Sequence, residues 1–367
     1  MTSKNTDRPD GQPASQAKPK NNRTLLIISI SVLVIAVIGG GLLLLKLFTT
    51  LMDQPLGDPL NLPATETAQA DEETISQVTP GPTATQGPPP LCGDRTEMTL
   101  LVVGTDFRGS NYLYGLADVI RIVHIDFTIP QINVVALPRA TLIEDPGPNL
   151  DVAAPVLINQ TYLFGTQGMG HFSGSGYGAG ALAETLQTNF GVSVDNYLVI
   201  NFSAFENFID YIGGISVTLP RSVDAEPAAT FPAGTQWLNG EKALILARNR
   251  KNSSDNIRID YQSIIIQGIL ERLTDPTVLG QLPGTLDLFQ SAVLTDVSPT
   301  QIQTGLCMVD KVDTATIQYF NPGDDLITYG RTYIPTVSKE MDVFFWDQAL
   351  VDWIQESLVS VPQATAQ

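Results

Sequence analysis

Arginine is scarce beyond residue 46 of this sequence, and the arginines that do occur there are clustered. The region holds 14 basic and 36 acidic residues, a net charge of −22, and only ten of its residues are arginines. Six of the ten fall in three short segments, at Arg108, Arg121, Arg139, Arg248, Arg250 and Arg258. Because guanidinium groups bind phosphate oxygens through paired hydrogen bonds, this pattern predicts a pocket for a polyanion. The alternative is that the arginines form exposed ion pairs, which contribute only about 0–1 kcal/mol each.

Three aspartates lie in the same segments as these arginines, at Asp106, Asp118 and Asp255. Carboxylates beside arginines can form plain salt bridges. They can also hold Mg²⁺, which binds proteins through one or two carboxylates and completes its ligand shell with substrate phosphates. The residues by themselves leave both interpretations open.

The composition argues against two other classes of site. A net charge of −18 over 367 residues argues against non-specific binding of nucleic acid. Two cysteines and two histidines cannot supply a Cys/His zinc site of the usual spacing. Cys92 and Cys307 are instead a candidate disulfide in an oxidising compartment, and the alternative is two unpaired thiols.

The charged segments lie next to predicted strands and helices. Short apolar runs predict strands and helical periodicity predicts helices; the strands are 98–103, 118–126, 131–137, 196–200 and 215–219, and the helices 181–189, 203–212, 239–248, 257–273 and 345–358. Residues 146–179 are predicted to form a loop. Strands that alternate with helices imply an α/β sheet covered on both faces, with ligands beyond the carboxyl ends of its strands. Arg108 and Arg139 each follow a predicted strand, so both are expected at such an edge.

The N-terminal part of the chain predicts a membrane anchor. Residues 24–46 are a predicted transmembrane helix, because about 22 uncharged residues at roughly 1.5 Å each span a hydrocarbon core of about 30 Å. The run has neither the shorter apolar region nor the small-residue cleavage site of a signal peptide. Basic residues are concentrated before the span, so 1–23 is expected in the cytoplasm and the rest outside the cell. Residues 47–95, rich in Pro and Thr, are an expected extracellular spacer, and 361–367 an expected disordered tail.

Several sequence motifs follow one another in a fixed order between Thr99 and Leu273. The first are GTDFRGS with Gly104, Asp106 and Arg108, then Asp118, LPRAT with Pro138 and Arg139, and LINQTY with Asn159. The later ones are NYLVINFSAFENFIDYIGGISVTLP, GTQWLNGEKALILARNR with Arg248 and Arg250, and SDNIRIDYQ with Asp255, Arg258 and Gln262. In these motifs and their spacing the chain resembles the LytR–CpsA–Psr family of cell-wall glycopolymer ligases.

The resemblance implies a fold and an activity. The fold is a three-layer α-β-α sandwich with a mixed central sheet, in which 96–275 is the catalytic domain and 276–360 completes the same domain. Members of the family move a glycopolymer from a polyprenyl-pyrophosphate carrier to a cell-wall acceptor, typically a peptidoglycan hydroxyl. The implied partners are the lipid-linked glycan, the wall polymer and the membrane, with no nucleic acid.

The resemblance also implies roles for individual residues. The pyrophosphate would be held by Arg108, Arg139, Arg248, Arg250 and Arg258. Asp106 and Asp118 would hold Mg²⁺ and, with Arg139, form the catalytic group; the further candidates are Arg121, Asp255, Gln262 and Asn159. The prenyl chain needs an apolar groove, which the run Ser263–Leu270 would line unless that run is only part of the core.

Three positions depart from the family motifs. Leu116 and Tyr261 stand where the family usually has arginine, and Ala140 stands where it has aspartate. Arg121 replaces part of the lost charge if its strand turns it toward the site. The departures motivate two alternatives, a non-catalytic module that binds polyprenyl-pyrophosphate lipid or wall polymer, and a polyprenyl pyrophosphatase that uses water in place of the acceptor.

Overall fold

The computed structural model describes residues 51–60, 62, 88–107, 114–225, 229–249, 255–279, 293–313 and 316–361. From Asp53 onward the chain belongs to one compact unit. Within the described ranges no helix combines the length and apolar character needed to cross a membrane. The predicted cytoplasmic tail and transmembrane helix lie outside the described residues, as do most of the predicted spacer and of the predicted C-terminal tail.

The strands and helices of the described residues follow one another from residue 97 to residue 359. The strands are β1 (Glu97–Thr105), β2 (Ala117–Asp126), β3 (Gln131–Leu137), β4 (Leu142–Ile143), β5 (Val156–Leu157), β6 (Asn196–Asn201), β7 (Ile215–Leu219), β8 (Val223–Ala225), β9 (Ala229–Phe231), β10 (Gly234–Leu238), β11 (Val293–Thr295), β12 (Gln318–Phe320), β13 (Thr328–Ile334) and β14 (Lys339–Phe345). The helices are α1 (Ile158–Gly165), α2 (Tyr177–Phe190), α3 (Phe202–Tyr211), α4 (Gly240–Ala247), α5 (Asp255–Leu273), α6 (Pro276–Leu279), α7 (Pro299–Lys311) and α8 (Gln348–Val359).

Six strands form a central sheet in the order β11-β6-β1-β2-β3-β12. β1 is parallel to β6 and β3 is parallel to β12, whereas β2 is antiparallel to both of its neighbours. The sheet is therefore mixed, and the predicted mixed α/β fold is confirmed. Both edge strands follow residue 275 in the chain, so the C-terminal part completes this same sheet.

The two faces of the central sheet are covered differently. Along β1, side chains alternate between the faces, as they do in any strand. Leu101 and Val103 are fully buried in the main core, together with residues of α1, α2 and α8. Leu100 and Val102 face a cavity that is bounded by α3, α4, α5 and α7. One face of the central sheet is therefore covered by a packed core, and the other face is covered by helices across a cavity.

Asparagine side chains cap the N-termini of two of the helices around the cavity. The Asn201 side chain accepts a hydrogen bond from the Ala204 N–H at 2.8 Å at the start of α3. The Asn239 side chain accepts one from the Lys242 N–H at 3.0 Å at the start of α4. Such caps satisfy backbone donors that have no partner within the helix, and they fix where each helix starts relative to the sheet.

The predicted loop over 146–179 contains a helix that the sequence pattern did not indicate. The N-cap residue of α1 is Leu157, whose side chain cannot accept a hydrogen bond, and the helix has no charged residue in its first or last turn. It forms because tertiary packing buries six of its eight residues. The last helix begins at Gln348 and not at the predicted 345, because Phe345 pairs with Thr328 in the hairpin of β13 and β14.

Parts of the predicted spacer belong to the folded unit. Leu60 and Leu62 pack against the main core. Cys92 forms a disulfide with Cys307, with Cα atoms 6.0 Å apart and a sequence separation of 215. The disulfide lies in a small apolar core that includes Met98. It joins the segment before β1 to α7, which forms one wall of the cavity.

Loss of this disulfide is expected to destabilise the protein. A bond that closes so long a loop restricts the unfolded chain and contributes about 3–5 kcal/mol. We therefore expect Cys92→Ala with Cys307→Ala to lower the free energy of unfolding of the full chain by that amount, measured by urea denaturation. Wild-type protein unfolded in reductant should match the double variant. Equal stability of the variant and the oxidised wild type would contradict the expectation.

Candidate active site

A cavity of about 1190 Å³ lies between the open face of the sheet and the helices that cover it. Most of its wall is apolar, with Val123, Ile266 and Ile302 among the residues that line it. The charged residues that line it are Asp106, Asp118, Arg121, Glu206, Glu241, Arg248 and Arg258. Asp106 follows the carboxyl end of β1 and Asp118 lies beside it at the start of β2, so this end of the cavity is polar.

The orientation of Asp118 depends on an irregularity in the pairing of β1 with β2. Gly104 pairs with Val119 while Thr105 pairs with Ala117, so the register of the two strands shifts at Asp118. A bulge of this kind re-aims side chains. Asp118 and Val119 both line the cavity, although consecutive residues of a regular strand would face opposite sides.

Asp106 is held by the main chain of Leu116. The Asp106 N–H donates to the Leu116 carbonyl at 3.2 Å. The Oδ1 of Asp106 accepts a hydrogen bond from the Leu116 N–H at 2.7 Å. Both bonds use backbone atoms of Leu116, so the departure from the family motif at this position leaves the placement of Asp106 unchanged.

Arg139 reaches Asp118 from the segment after β3. Its Nη1 lies 2.5 Å from Oδ1 of Asp118, and the two side chains are 19% and 18% exposed. Arg139 therefore forms an ion pair, as the alternative interpretation of the arginines expected. This ion pair is largely buried, whereas that interpretation expected exposed pairs. The start of α1 fixes the main chain here, because the N–H of Asn159 donates to the Arg139 carbonyl at 3.3 Å. Asn159 thus positions Arg139 through its backbone, and its side chain is not among the described cavity-lining groups.

Arg248 lies at the end of α4, above the ring of Phe202. Its guanidinium carbon is 4.5 Å from the ring centroid, a cation–π contact that orients an exposed arginine. Both residues line the cavity. Three other predicted site residues cannot be placed beside them, since Arg108, Arg250 and the side chain of Asp255 lie outside the described residues.

Arg121, Arg258 and Gln262 form a buried polar part of the cavity wall, with exposures of 1%, 4% and 6%. Nη2 of Arg121 donates to Oε1 of Gln262 at 3.0 Å, and Nε2 of Gln262 donates to the Ala247 carbonyl at 3.2 Å. Burial, and then the positive charge of Arg258, lower the pKa of Arg121 to about 10. Arg121 is therefore charged at neutral pH, and its strand does turn it toward the cavity.

The sequence pattern did not single out six other polar residues that line the cavity, Asn201, Glu206, Glu241, Asn249, Thr295 and Gln301. Asn201 and Glu241 also occupy helix starts, a position that their residue types explain without any ligand. Asn249 stands between Arg248 and Arg250, and that neighbourhood was the one available signal.

The other two departures from the family motifs have structural roles. The Ala140 carbonyl accepts a hydrogen bond from the Phe344 N–H at 3.0 Å, which ties the segment after β3 to β14. Tyr261 is 4% exposed in a second apolar core with Leu246 and Ile265. Neither Ala140 nor Tyr261 is among the described residues that line the cavity.

Asp106 and Asp118 suit a cation that shares its ligand shell with phosphate. Among the residues that the structure describes, no group of three or more His, Cys, Asp and Glu side chains could hold a metal ion. Mg²⁺ does not need one, because it binds through one or two carboxylates and takes its other ligands from phosphate oxygens and water. The carboxylates therefore fit Mg²⁺ that binds together with a phosphorylated ligand, and they do not fit an ion held by protein ligands alone.

Known proteins resemble this chain in sequence. The TagU polyisoprenyl-teichoic acid–peptidoglycan teichoic acid transferase of Oceanobacillus iheyensis is 26% identical over 217 residues, which cover 58% of this chain and 63% of that protein. The transferase TagV of Bacillus subtilis is 24% identical over 233 residues, which cover 60% of this chain and 56% of that protein. The match thus spans less than two thirds of the length of each relative.

The fold is shared as well. The crystal structure of Bacillus subtilis TagV superposes with a TM-score of 0.56 at 22% identity, over 73% of this chain and 99% of that one. The model of the LytR_cpsA_psr family matches residues 61–348, most of the chain. The extent of that match shows that this protein belongs to the LytR–CpsA–Psr family.

Proposed function

We propose that this protein is a membrane-anchored, extracellular phosphotransferase that moves a glycopolymer from a polyprenyl-pyrophosphate carrier to a cell-wall acceptor hydroxyl. The observation that carries the proposal is the cavity, which is apolar along most of its wall and has guanidinium and carboxylate groups at one end. Such a cavity suits a ligand with a long hydrocarbon chain and a phosphorylated head. The names of TagU and TagV favour a teichoic acid-like glycopolymer and peptidoglycan as the acceptor.

The apolar part of the cavity takes the prenyl chain. Ile265, Ile266, Ile269 and Leu270 of α5 line it, so the apolar run 263–270 offers a binding surface in addition to core contacts. An apolar wall lets the chain leave the bilayer without exposure of its hydrocarbon to water, which would cost about 0.8 kcal/mol per CH₂. The predicted transmembrane helix keeps the domain close to the bilayer in which such a lipid resides.

The polar end of the cavity takes the pyrophosphate. Arg248 and Arg258 line the cavity. Arg139 is not among the described residues that line the cavity, and it adds positive charge through its ion pair with Asp118, which does line it. Arg108 and Arg250 add to this charge by resemblance to the family. Charges that are positioned before the reaction stabilise the transferring phosphoryl group without reorganisation, which is the main source of catalysis in such reactions. Mg²⁺ held by Asp106 and Asp118 neutralises phosphate charge when it is bound.

The reaction exchanges one bond between phosphorus and oxygen for another. The acceptor hydroxyl oxygen attacks the phosphorus that bears the glycan and forms a phosphodiester. The bond from this phosphorus to the lipid phosphate breaks, and polyprenyl phosphate leaves with the electron pair. The hydroxyl proton passes to a carboxylate base. Asp106 is the better candidate, because it is more exposed to an incoming acceptor than Asp118, which is paired with Arg139.

A non-catalytic lipid-binding module is the second candidate. It is favoured by the missing ionisable groups at Leu116, Ala140 and Tyr261, which leave the site with fewer charges than the family motifs contain. A pyrophosphatase is the third, because water can take the place of the acceptor in the same geometry.

One assay separates the three candidates. The full chain, reconstituted in vesicles with a polyprenyl-pyrophosphate-linked glycan and Mg²⁺, is expected to form the glycan–acceptor phosphodiester and release one equivalent of polyprenyl phosphate only when peptidoglycan is added. Release at the same rate without peptidoglycan would identify a hydrolase. Bound lipid with no product would identify a binding module. Either result would reject the transferase.

Removal of Arg139 is expected to weaken lipid-pyrophosphate binding strongly. Arg139→Ala deletes a charged contact with phosphate, worth about 2–3 kcal/mol, or roughly 30- to 150-fold in affinity. Titration calorimetry with farnesyl diphosphate measures the loss. Arg331→Ala is the matched control, because Arg331 is 63% exposed and pairs with Asp342 at 3.4 Å on the hairpin of β13 and β14. Equal affinities of the two variants would argue against a pyrophosphate at Arg139.

Gly305 offers a test of the apolar wall. It lies with Ile302 and Leu306 on the face of α7 that lines the cavity, and a Cβ built on it meets no atom within 4 Å. Gly305→Phe is therefore expected to fill the cavity and lower the affinity for undecaprenyl diphosphate about tenfold, or about 1.4 kcal/mol. Geranyl diphosphate, with its short chain, should lose much less. Gly305→Ala adds one methyl group and should give a small effect on both. Equal losses for the long and short lipids would contradict the proposed placement of the chain.

A further inference from the structure

Arg121 is a buried arginine on the cavity side of β2. It is 1% exposed and is the largest of the fully buried side chains among the described residues. Val119 and Val123, two positions to either side of it on the strand, line the same cavity. Arg121 therefore places a charge between two apolar residues on the cavity face of its own strand.

The hydrogen bonds of Arg121 leave its charge uncompensated. Nη1 donates to the Ile120 carbonyl at 3.0 Å, and Nη2 donates to the Ile259 carbonyl at 3.4 Å and to Oε1 of Gln262 at 3.0 Å. All three acceptors are neutral. Nε of Arg121 is buried and has no hydrogen-bond partner within the described part of the chain. In those same residues no carboxylate lies within ion-pair distance of Arg121.

Such an arrangement is costly unless an anion completes it. A buried charge that no ion pair neutralises is strongly unfavourable, and an apolar side chain of similar volume often gives a more stable protein. Burial and then the repulsion of Arg258 lower the pKa of Arg121, and the negative charge of Asp260, beyond ion-pair distance, offsets only part of this effect. A purely structural explanation is that Arg121 ties β2 to α5 through Ile259 and Gln262. A neutral donor would serve that purpose without the charge.

The position of Arg121 along the cavity indicates which anion fits. It lies three residues beyond Asp118 on β2, about 10 Å further along the strand at 3.3 Å per residue. The aspartate end of the cavity is on one side of it, and the apolar wall formed by Val123 and Ile125 is on the other. An anionic group at this depth is the last charged group before a hydrocarbon chain begins.

We propose that Arg121, together with Arg258, forms a subsite for the phosphate that is esterified to the lipid chain. The inference rests on the proposed function and adds to it. The subsite recognises a prenyl monophosphate, the part of the carrier that remains after the glycan phosphate has left. Two guanidinium groups match the charge of a phosphate monoester, which is about −1.5 to −2 at neutral pH. The protein therefore also binds its lipid product, with Arg121 as a contact to both substrate and product.

The test compares Arg121→Lys with Arg121→Gln in the full chain. Both replacements are shorter than arginine and can donate hydrogen bonds, but only lysine keeps the charge. With farnesyl phosphate as the probe in titration calorimetry, we expect Arg121→Gln to bind about 10- to 100-fold more weakly than wild type. Arg121→Lys should recover most of that loss. Arg331→Gln, on the exposed hairpin, should bind like wild type.

The free energy of unfolding gives an independent test, because loss of the charge should weaken lipid binding without lowering stability. Arg121→Met removes the buried charge, so the ligand-free variant is expected to be as stable as wild type or more stable in urea denaturation. Addition of farnesyl phosphate should then raise its melting temperature less than it raises that of wild type. If Arg121 only connects β2 to α5, the variant should be destabilised and should bind farnesyl phosphate with wild-type affinity. That result would overturn the proposal.

The two proposals fail in distinguishable ways. Wild-type protein that binds neither farnesyl diphosphate nor farnesyl phosphate would reject the proposed function itself. Wild-type protein that binds both lipids, while Arg121→Gln binds farnesyl phosphate equally well, would reject only the role of Arg121.

Discussion

Both apolar faces of the central sheet must be shielded from water by other elements. Here the helices that shield the second face are separated from it by the cavity. The main core packs directly on the face that carries Leu101 and Val103, while Leu100 and Val102 face the cavity. Atoms that line a void lack contact partners, so a hollow layer lowers stability relative to a packed one. The helices on this side must therefore be held by contacts at the edges of the cavity. The disulfide to α7 and the second apolar core beneath α5 supply them.

Backbone hydrogen bonds position the polar end of the cavity. Asp106 is fixed by main-chain atoms of Leu116, and the segment that carries Arg139 is fixed by the first turn of α1. A shift in strand register turns Asp118 toward the cavity. Because these contacts use backbone atoms of Leu116 and Ala140, they do not depend on which side chains stand at those two positions. The two aspartates are therefore positioned without the charged residues that the family motifs have there.

The elements around the site were predictable to different degrees. The four inner strands of the sheet, β1, β2, β3 and β6, follow from their apolar runs, and α4 and α5 follow from helical periodicity. The short edge strands β11 and β12 were not predicted. Helix α1 was not predictable, because its N-cap residue is a leucine, its end turns carry no charge, and it is stabilised by burial of its residues in the core. The hairpin of β13 and β14 was also missed, since exposed residues on one of its faces weaken the apolar pattern. The local sequence pattern of a segment predicts its structure poorly when the residues that stabilise it lie far away in the chain.

The sequence by itself determined the family, the mixed α/β class and the residues that bear charge, because order, spacing and residue type are properties of the chain alone. Only the tertiary structure decided where those charges point. Asp118 and Arg121 both line the cavity although they are three positions apart on the strand, because a bulge interrupts the alternation of the strand. The cavity itself is also a tertiary property. A residue such as Ile266 reads as core in the sequence, and only the distance between α5 and the sheet makes it part of a wall that a ligand can reach.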